Sequence, residues 1–196
     1  MGHAAKAVGS FAAVVLAAGI AVSTLRGEVA STAPSEPTEA QRLFLRLAPV
    51  FQDRRCLNCH TATDFPRQGD DGHRHMMSVR RGPEDKGAIG LPCATCHQSK
   101  NSPAGLPGAD DWHLAPLKML WEGLTAGEIC RSLFDPARGG MTLETLIPHL
   151  NTSLVLWAWS PGVDLGGVPR RPPPLRHDEF MALVEKWVSM GVPCPP

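Results

Sequence analysis

The chain has 196 residues, and its 19 Lys and Arg are balanced by 19 Asp and Glu. That balance gives no support to nucleic-acid binding, which needs a basic face, and 43% apolar residues rule against wholesale disorder. Nineteen Gly, nineteen Pro and no Tyr predict a mostly α domain with extensive loops and short helices, one that needs something besides regular elements to organise its interior.

Residues 1–34 read as a signal peptide or an N-terminal membrane anchor plus linker, and residues 35–196 as the folded domain. Lys6 precedes an apolar run from Ala7 to Leu25, long for a signal core and just long enough to span a bilayer. Ala21-Val22-Ser23 offers a small-residue cleavage site. Either outcome predicts an exported, periplasmic domain, soluble after cleavage or anchored to the inner membrane.

A helix is predicted from Ser35, as its cap, to Phe51, with Pro37 in the first turn and Leu43, Leu47 and Phe51 on one face. It delivers the chain to Cys56-Leu57-Asn58-Cys59-His60. A second copy of the pattern follows at Cys93-Ala94-Thr95-Cys96-His97. Cys-x-x-Cys-His is the attachment signature of c-type haem. Two intervening residues put both thiols on one side of a tight turn, within reach of the two vinyl groups, and the next residue meets the iron. Cys56, Cys59 and His60 would hold one haem, and Cys93, Cys96 and His97 the other. A zinc site of four cysteines and a pair of short disulfides are the rival readings; neither needs a His after each pair. Only 33 residues separate Cys59 from Cys93, too few for one fold per haem, so both haems would share one protein shell.

Each iron needs a sixth ligand or is an open site. His75 and His113 are the favoured candidates and His73 the third. His73 and His75 lie two apart and point to opposite sides of an extended segment, and His113 follows Trp112 in an apolar flank. Met76 and Met77 are further candidates. His149, after Pro148, and His177, at a helix start, read as structural. Arg54, Arg55, Arg80 and Arg81 suit haem propionates or a solvated charged loop.

Thr125-Ala126-Gly127-Glu128 reads as a capping box opening a short helix to about Leu133. Leu143, Leu146, Ile147 and Leu150 mark one face of another. Trp157 and Trp159 read as core or as a shield for a haem edge. Pro169 to Leu175 reads as an extended strap. Phe180, Leu183, Val184, Trp187 and Val188 define a C-terminal helix ended by Gly191. Cys130 and Cys194, the two remaining cysteines, are expected to pair, tying the tail to the Thr125 helix.

The run Phe44 to Phe51, the segments Cys56 to His60, Phe65 to Asp70, His73-Arg74-His75 and Cys93 to His97, then Trp112 to Pro116 and the tail from Pro173 to Cys194 together resemble a bacterial family often named isoquinoline 1-oxidoreductase subunit. The resemblance covers about Ser35 to Pro196 and implies a partner role beside a molybdenum hydroxylase. More loosely, two close motifs with a His-Met-Met segment between them are similar to the small dihaem subunit of periplasmic nitrate reductase. That similarity implies His on both faces of each iron, with the ligand between the motifs near His75. The stretch after His97 differs from that family, and no second distal ligand carries over.

The expectation is a small multihaem cytochrome c-like domain organised around two covalently bound haem c groups. It would pass electrons between a dehydrogenase or oxidoreductase partner and another redox protein. The alternative is a haem enzyme, such as a small dihaem peroxidase with one open iron.

Overall fold

A computed structural model describes residues 1–3 and 36–196. The segment read as a signal peptide or anchor lies outside the described residues. Among the described residues no helix is long and apolar enough to cross a membrane.

The first helix, α1 (Glu39–Phe51), begins later than the sequence reading placed it. Its cap is Thr38: the Thr38 hydroxyl accepts from the Gln41 amide, and the Gln41 side chain accepts from the Thr38 amide. This reciprocal box satisfies two amide donors that the first turn leaves unpaired, so Pro37 precedes the cap instead of opening the helix. Asp53 then caps the short α2 (Arg54–Leu57), which carries Cys56.

Between the two Cys-x-x-Cys-His motifs the chain forms two small antiparallel hairpins. The strands β1 (Arg67–Gln68) and β2 (His73–Arg74) pair first, then β3 (Gly87–Ala88) and β4 (Leu91–Pro92). Gly82 lies at a φ of +64°, and a Cβ there would come within 1.9 Å of the Gly87 carbonyl oxygen; only glycine permits that approach.

Four further helices close the domain: α3 (Ala126–Phe134), α4 (Leu143–Leu150), α5 (Ser153–Leu156) and α6 (His177–Ser189). The Thr125–Glu128 box caps α3 as expected. In α6 the i, i+3, i+4, i+7 face buries Phe180, Val184 and Trp187 against Phe44, Leu47 and Phe51 of α1. Ile129 and Leu133 of α3 and Leu146 and Leu150 of α4 complete the core. Phe44 stacks on Phe51 at 5.7 Å, and Phe51 meets Phe180 edge-on at 5.5 Å. Each such buried side chain contributes roughly 1.5–3 kcal/mol.

Cys130 and Cys194 form a disulfide with Cα atoms 5.6 Å apart, joining α3 to the tail as the sequence predicted. The proline strap lies along the domain, with Pro173 buried and the Leu175 carbonyl accepting from Trp159 Nε1 at 2.8 Å. The result is mostly helical with extensive loops, in line with the expected class.

Candidate metal centre

The two Cys-x-x-Cys-His motifs adopt the same local fold. In the first, the amides of Cys59 and His60 both donate to the Cys56 carbonyl, at 3.1 and 3.0 Å. In the second, the amides of Cys96 and His97 both donate to the Cys93 carbonyl, at 3.1 and 2.9 Å. One tight helical turn thus places two cysteines on one side with the histidine after them, twice in one chain.

The histidines are held alike. His60 Nδ1 donates to the Met119 carbonyl at 2.8 Å, and His97 Nδ1 donates to the Pro107 carbonyl at 2.8 Å. Because a carbonyl can only accept, each ring is the Nδ1–H tautomer in this network, and each Nε2 keeps its lone pair free. This orienting bond is what metal-bound imidazoles ordinarily make. Each ring also lies flat on a tryptophan: His60 on Trp121, with centroids 3.5 Å apart, and His97 on Trp112, at 4.4 Å. Trp121 is fixed in turn by its Nε1–H bond to Ser132 at 3.2 Å and an edge-on contact with Phe51. Burial drives the His60 pKa down to about 4, partly offset by the bond to Met119. Burial likewise lowers the pKa of His97. Both shifts favour the neutral ring, the form that binds metal.

The first motif opens on a cavity of about 230 Å³. Cys56, Cys59 and His60 line one side. Phe51, Leu146, Leu150, Val155, Trp157 and Phe180 supply apolar walls from α1, α4, α5, α6 and the 157–159 turn. The cavity wall thus includes both Trp157 and Trp159, which the sequence left between core and shield. Burial pushes the thiol pKa up to about 12 for Cys56 and about 11 for Cys59. Cys93 adds to the effect on Cys59, so the two motifs lie side by side.

The predicted distal histidines divide between the motifs. His75 stands beside His97, the ring centres 5.9 Å apart. His113 lines the cavity of the first motif. Both rings donate Nδ1–H to a backbone carbonyl, His75 to Met76 at 2.7 Å and His113 to Asp111 at 2.5 Å. His73 is not brought to either motif's cavity walls; it sits exposed, with Nδ1 2.6 Å from the Asp71 carboxylate. Met77 is 78% exposed and Met76 49%. His177 fills a structural place, edge-on to Trp159 and 3.5 Å from the Leu150 carbonyl.

Three features departed from the sequence reading. His149, read as structural, makes no side-chain hydrogen bond among the described residues and stands in the cavity wall with His60. It lies on α4 between the buried Leu146 and Leu150 and is itself exposed. Arg55 and Arg81 are not a solvated loop. Arg55 is buried, pairs with Asp70 and reaches the cavity wall beneath Trp157. Arg81 is buried against Asp85 and donates to the carbonyls of Thr63 and Ala115. Arg80, by contrast, is exposed in a pair with Asp64.

Among the described residues no three or more His, Cys, Asp or Glu side chains gather in one place to hold a metal ion; a haem iron takes only one protein ligand on each face. Comparison with family models, with curated proteins and with solved structures gives no match.

Proposed function

We propose that the chain is a dihaem c-type cytochrome that carries electrons, as a subunit or shuttle between an oxidoreductase and another redox protein outside the cytoplasm. One observation carries the reading: the same turn, with a carbonyl-anchored, tryptophan-backed imidazole behind two cysteines, is built twice in 42 residues (Cys56 to His97). A structural zinc site or a disulfide has no use for a histidine oriented in this way after each cysteine pair.

The residues present fit the group. Cys56 and Cys59 line a cavity whose walls are largely apolar, the setting in which a flat apolar ring is held. Arg55, Lys118 and Arg138 also line it and offer cations to carboxylates. At the second motif, the rings of His97 and His75 stand 5.9 Å apart, so both imidazoles are near enough to serve one group held there. When bound, each haem iron supplies a one-electron couple. Cys56, Cys59, Cys93 and Cys96 would hold the two groups covalently, His60 and His97 would serve as proximal ligands, and His75 would be the distal ligand at the second. His113 and His149 both stand where the first could be completed. A second imidazole beside each of His60 and His97 would leave neither iron open to substrate, which supports a carrier over an enzyme.

The test is the intact mass of the full chain produced in an exporting host with haem-maturation machinery. Two haems of added mass are expected. Alanine in place of Cys56 and Cys59 should remove one of them. An unmodified polypeptide, or stoichiometric zinc, overturns the reading.

A further inference from the structure

The carbonyl that holds His97 is one end of a peptide group whose other end is also held. The Pro107 oxygen accepts from His97 Nδ1 at 2.8 Å, and the N–H across the same peptide bond, that of Gly108, donates to Asn101 Oδ1 at 3.0 Å. A peptide group is planar and turns as one body, so fixing its N–H fixes the direction in which its carbonyl points. Gly108 is buried, and a Cβ there would come within 2.3 Å of the Lys100 carbonyl oxygen. Any side chain would push this peptide away from the segment that carries Asn101.

The Asn101 carboxamide is itself held from both ends. Its Oδ1 also accepts from Trp157 Nε1 at 2.9 Å, and its Nδ2 donates to the Ser160 carbonyl at 2.8 Å. The two N–H groups can only donate, so the amide oxygen must face them and the orientation of the amide is set. Trp157 meets Trp112 edge-on at 4.9 Å, and Trp112 lies flat on His97 at 4.4 Å. Asn101 therefore reaches His97 twice, through the peptide plane to its Nδ1 and through two indoles to its face. The first motif is built differently. The Met119 carbonyl that holds His60 shares its peptide with the Leu120 amide, which donates to the Leu117 backbone at 3.3 Å and to no side chain.

We propose that Asn101 is a positioning residue for His97 and that it lowers the reduction potential of the haem at the second motif. This rests on the dihaem reading above and adds a control that one site has and the other lacks. Hydrogen bonds in a chain polarise one another. The Asn101 oxygen draws on the Gly108 N–H, which makes the Pro107 carbonyl a stronger acceptor for Nδ1–H. A stronger bond at Nδ1 makes the imidazole a more basic ligand, and hydrogen bonding behind the axial ligand is one of the levers on a haem couple. A more basic ligand favours the oxidised iron, so the couple moves down.

The experiment uses the mature dihaem protein, with intact mass confirming two haems, and reads both couples by potentiometric titration followed by absorption and electron paramagnetic resonance. Cys56→Ala with Cys59→Ala, or Cys93→Ala with Cys96→Ala, keeps one haem and assigns the couples. Asn101→Leu, of similar size without polar atoms, should raise the second couple more than the first. Asn101→Asp keeps an oxygen that accepts from both N–H groups and adds negative charge to it, so it should lower the second couple more than the first. A role confined to loop stability would lower the melting temperature and move neither couple. A second couple unmoved or lowered in Asn101→Leu, or an equal rise of both, overturns the proposal, as does anything but the larger fall at the second couple in Asn101→Asp. If Asn101→Leu fails to mature, Asn101→Asp decides alone. Failure of the dihaem reading is distinguishable, because wild-type protein would then carry no haem mass.

Discussion

Replacing Cys130 and Cys194 together by alanine should cost the domain roughly 4 kcal/mol, by the loop-closure relation for the chain that the bond closes. The bond spans 64 residues and fastens the tail to α3. The folded state gains little from it directly, because the tail has other ties. Gln41 Nε2 donates to the Cys194 carbonyl at 2.9 Å, Arg131 to the Pro195 carbonyl at 3.0 Å, and Trp187 Nε1 to the Pro193 carbonyl at 3.1 Å. Those contacts survive the substitution, so the loss arises from the greater freedom of the unfolded chain. For a domain of this size the change corresponds to a fall in melting temperature on the order of 10 °C. Urea unfolding of the mature protein, followed by far-ultraviolet circular dichroism, measures the loss from the midpoint and slope. Alkylation of the unfolded, unreduced wild type should label neither cysteine. A double variant within about 1 kcal/mol of the wild type, the scale of an ordinary substitution, refutes the reasoning, as does labelling of both thiols.

Further outcomes test the candidate sites and their supports. His75→Ala should turn one haem high-spin with both still attached, whereas His73→Ala should leave the spectrum unchanged, since His73 is exposed beside Asp71; electron paramagnetic resonance separates the two. Trp121→Ala should cost about 3–5 kcal/mol by thermal unfolding, the usual price of deleting a buried tryptophan, because Trp121 backs His60 and touches Phe51. Glu128 accepts from the Thr125 amide and hydroxyl, bonds that lower its pKa below 4.5 in the folded state. A depressed folded value means that the stabilisation is present above 4.5 and fades as pH falls through the lower folded value. Wild type and Glu128→Gln should therefore differ in stability at neutral pH and converge in acid; a constant difference across that range would count against the capping role.

What the sequence determined by itself was local. The Cys-x-x-Cys-His turns need only the order of five residues, and the capping box at Thr125 only a spacing of three. The face of α6 follows from helical periodicity, and Cys130 and Cys194 were the two cysteines left without another role. The start of α1 was missed although Thr38 and Gln41 carried the same signal as Thr125 and Glu128, because Ser35 and Pro37 competed for it. Tertiary structure decided what each histidine meets. The carbonyl that orients His60 belongs to Met119, 59 residues away, and its backing ring to Trp121. No spacing rule connects such positions; they meet because α1, α3, α4 and α6 bury their apolar faces on one another and bring the intervening loops with them. The same packing brought His149, read as structural in the sequence, to the lining of the cavity beside the first motif, and it buried Arg55 and Arg81 where a charged run would have been solvated. Periodicity tells which side of a helix is inward, while only the packed core decides which residue lies across the gap.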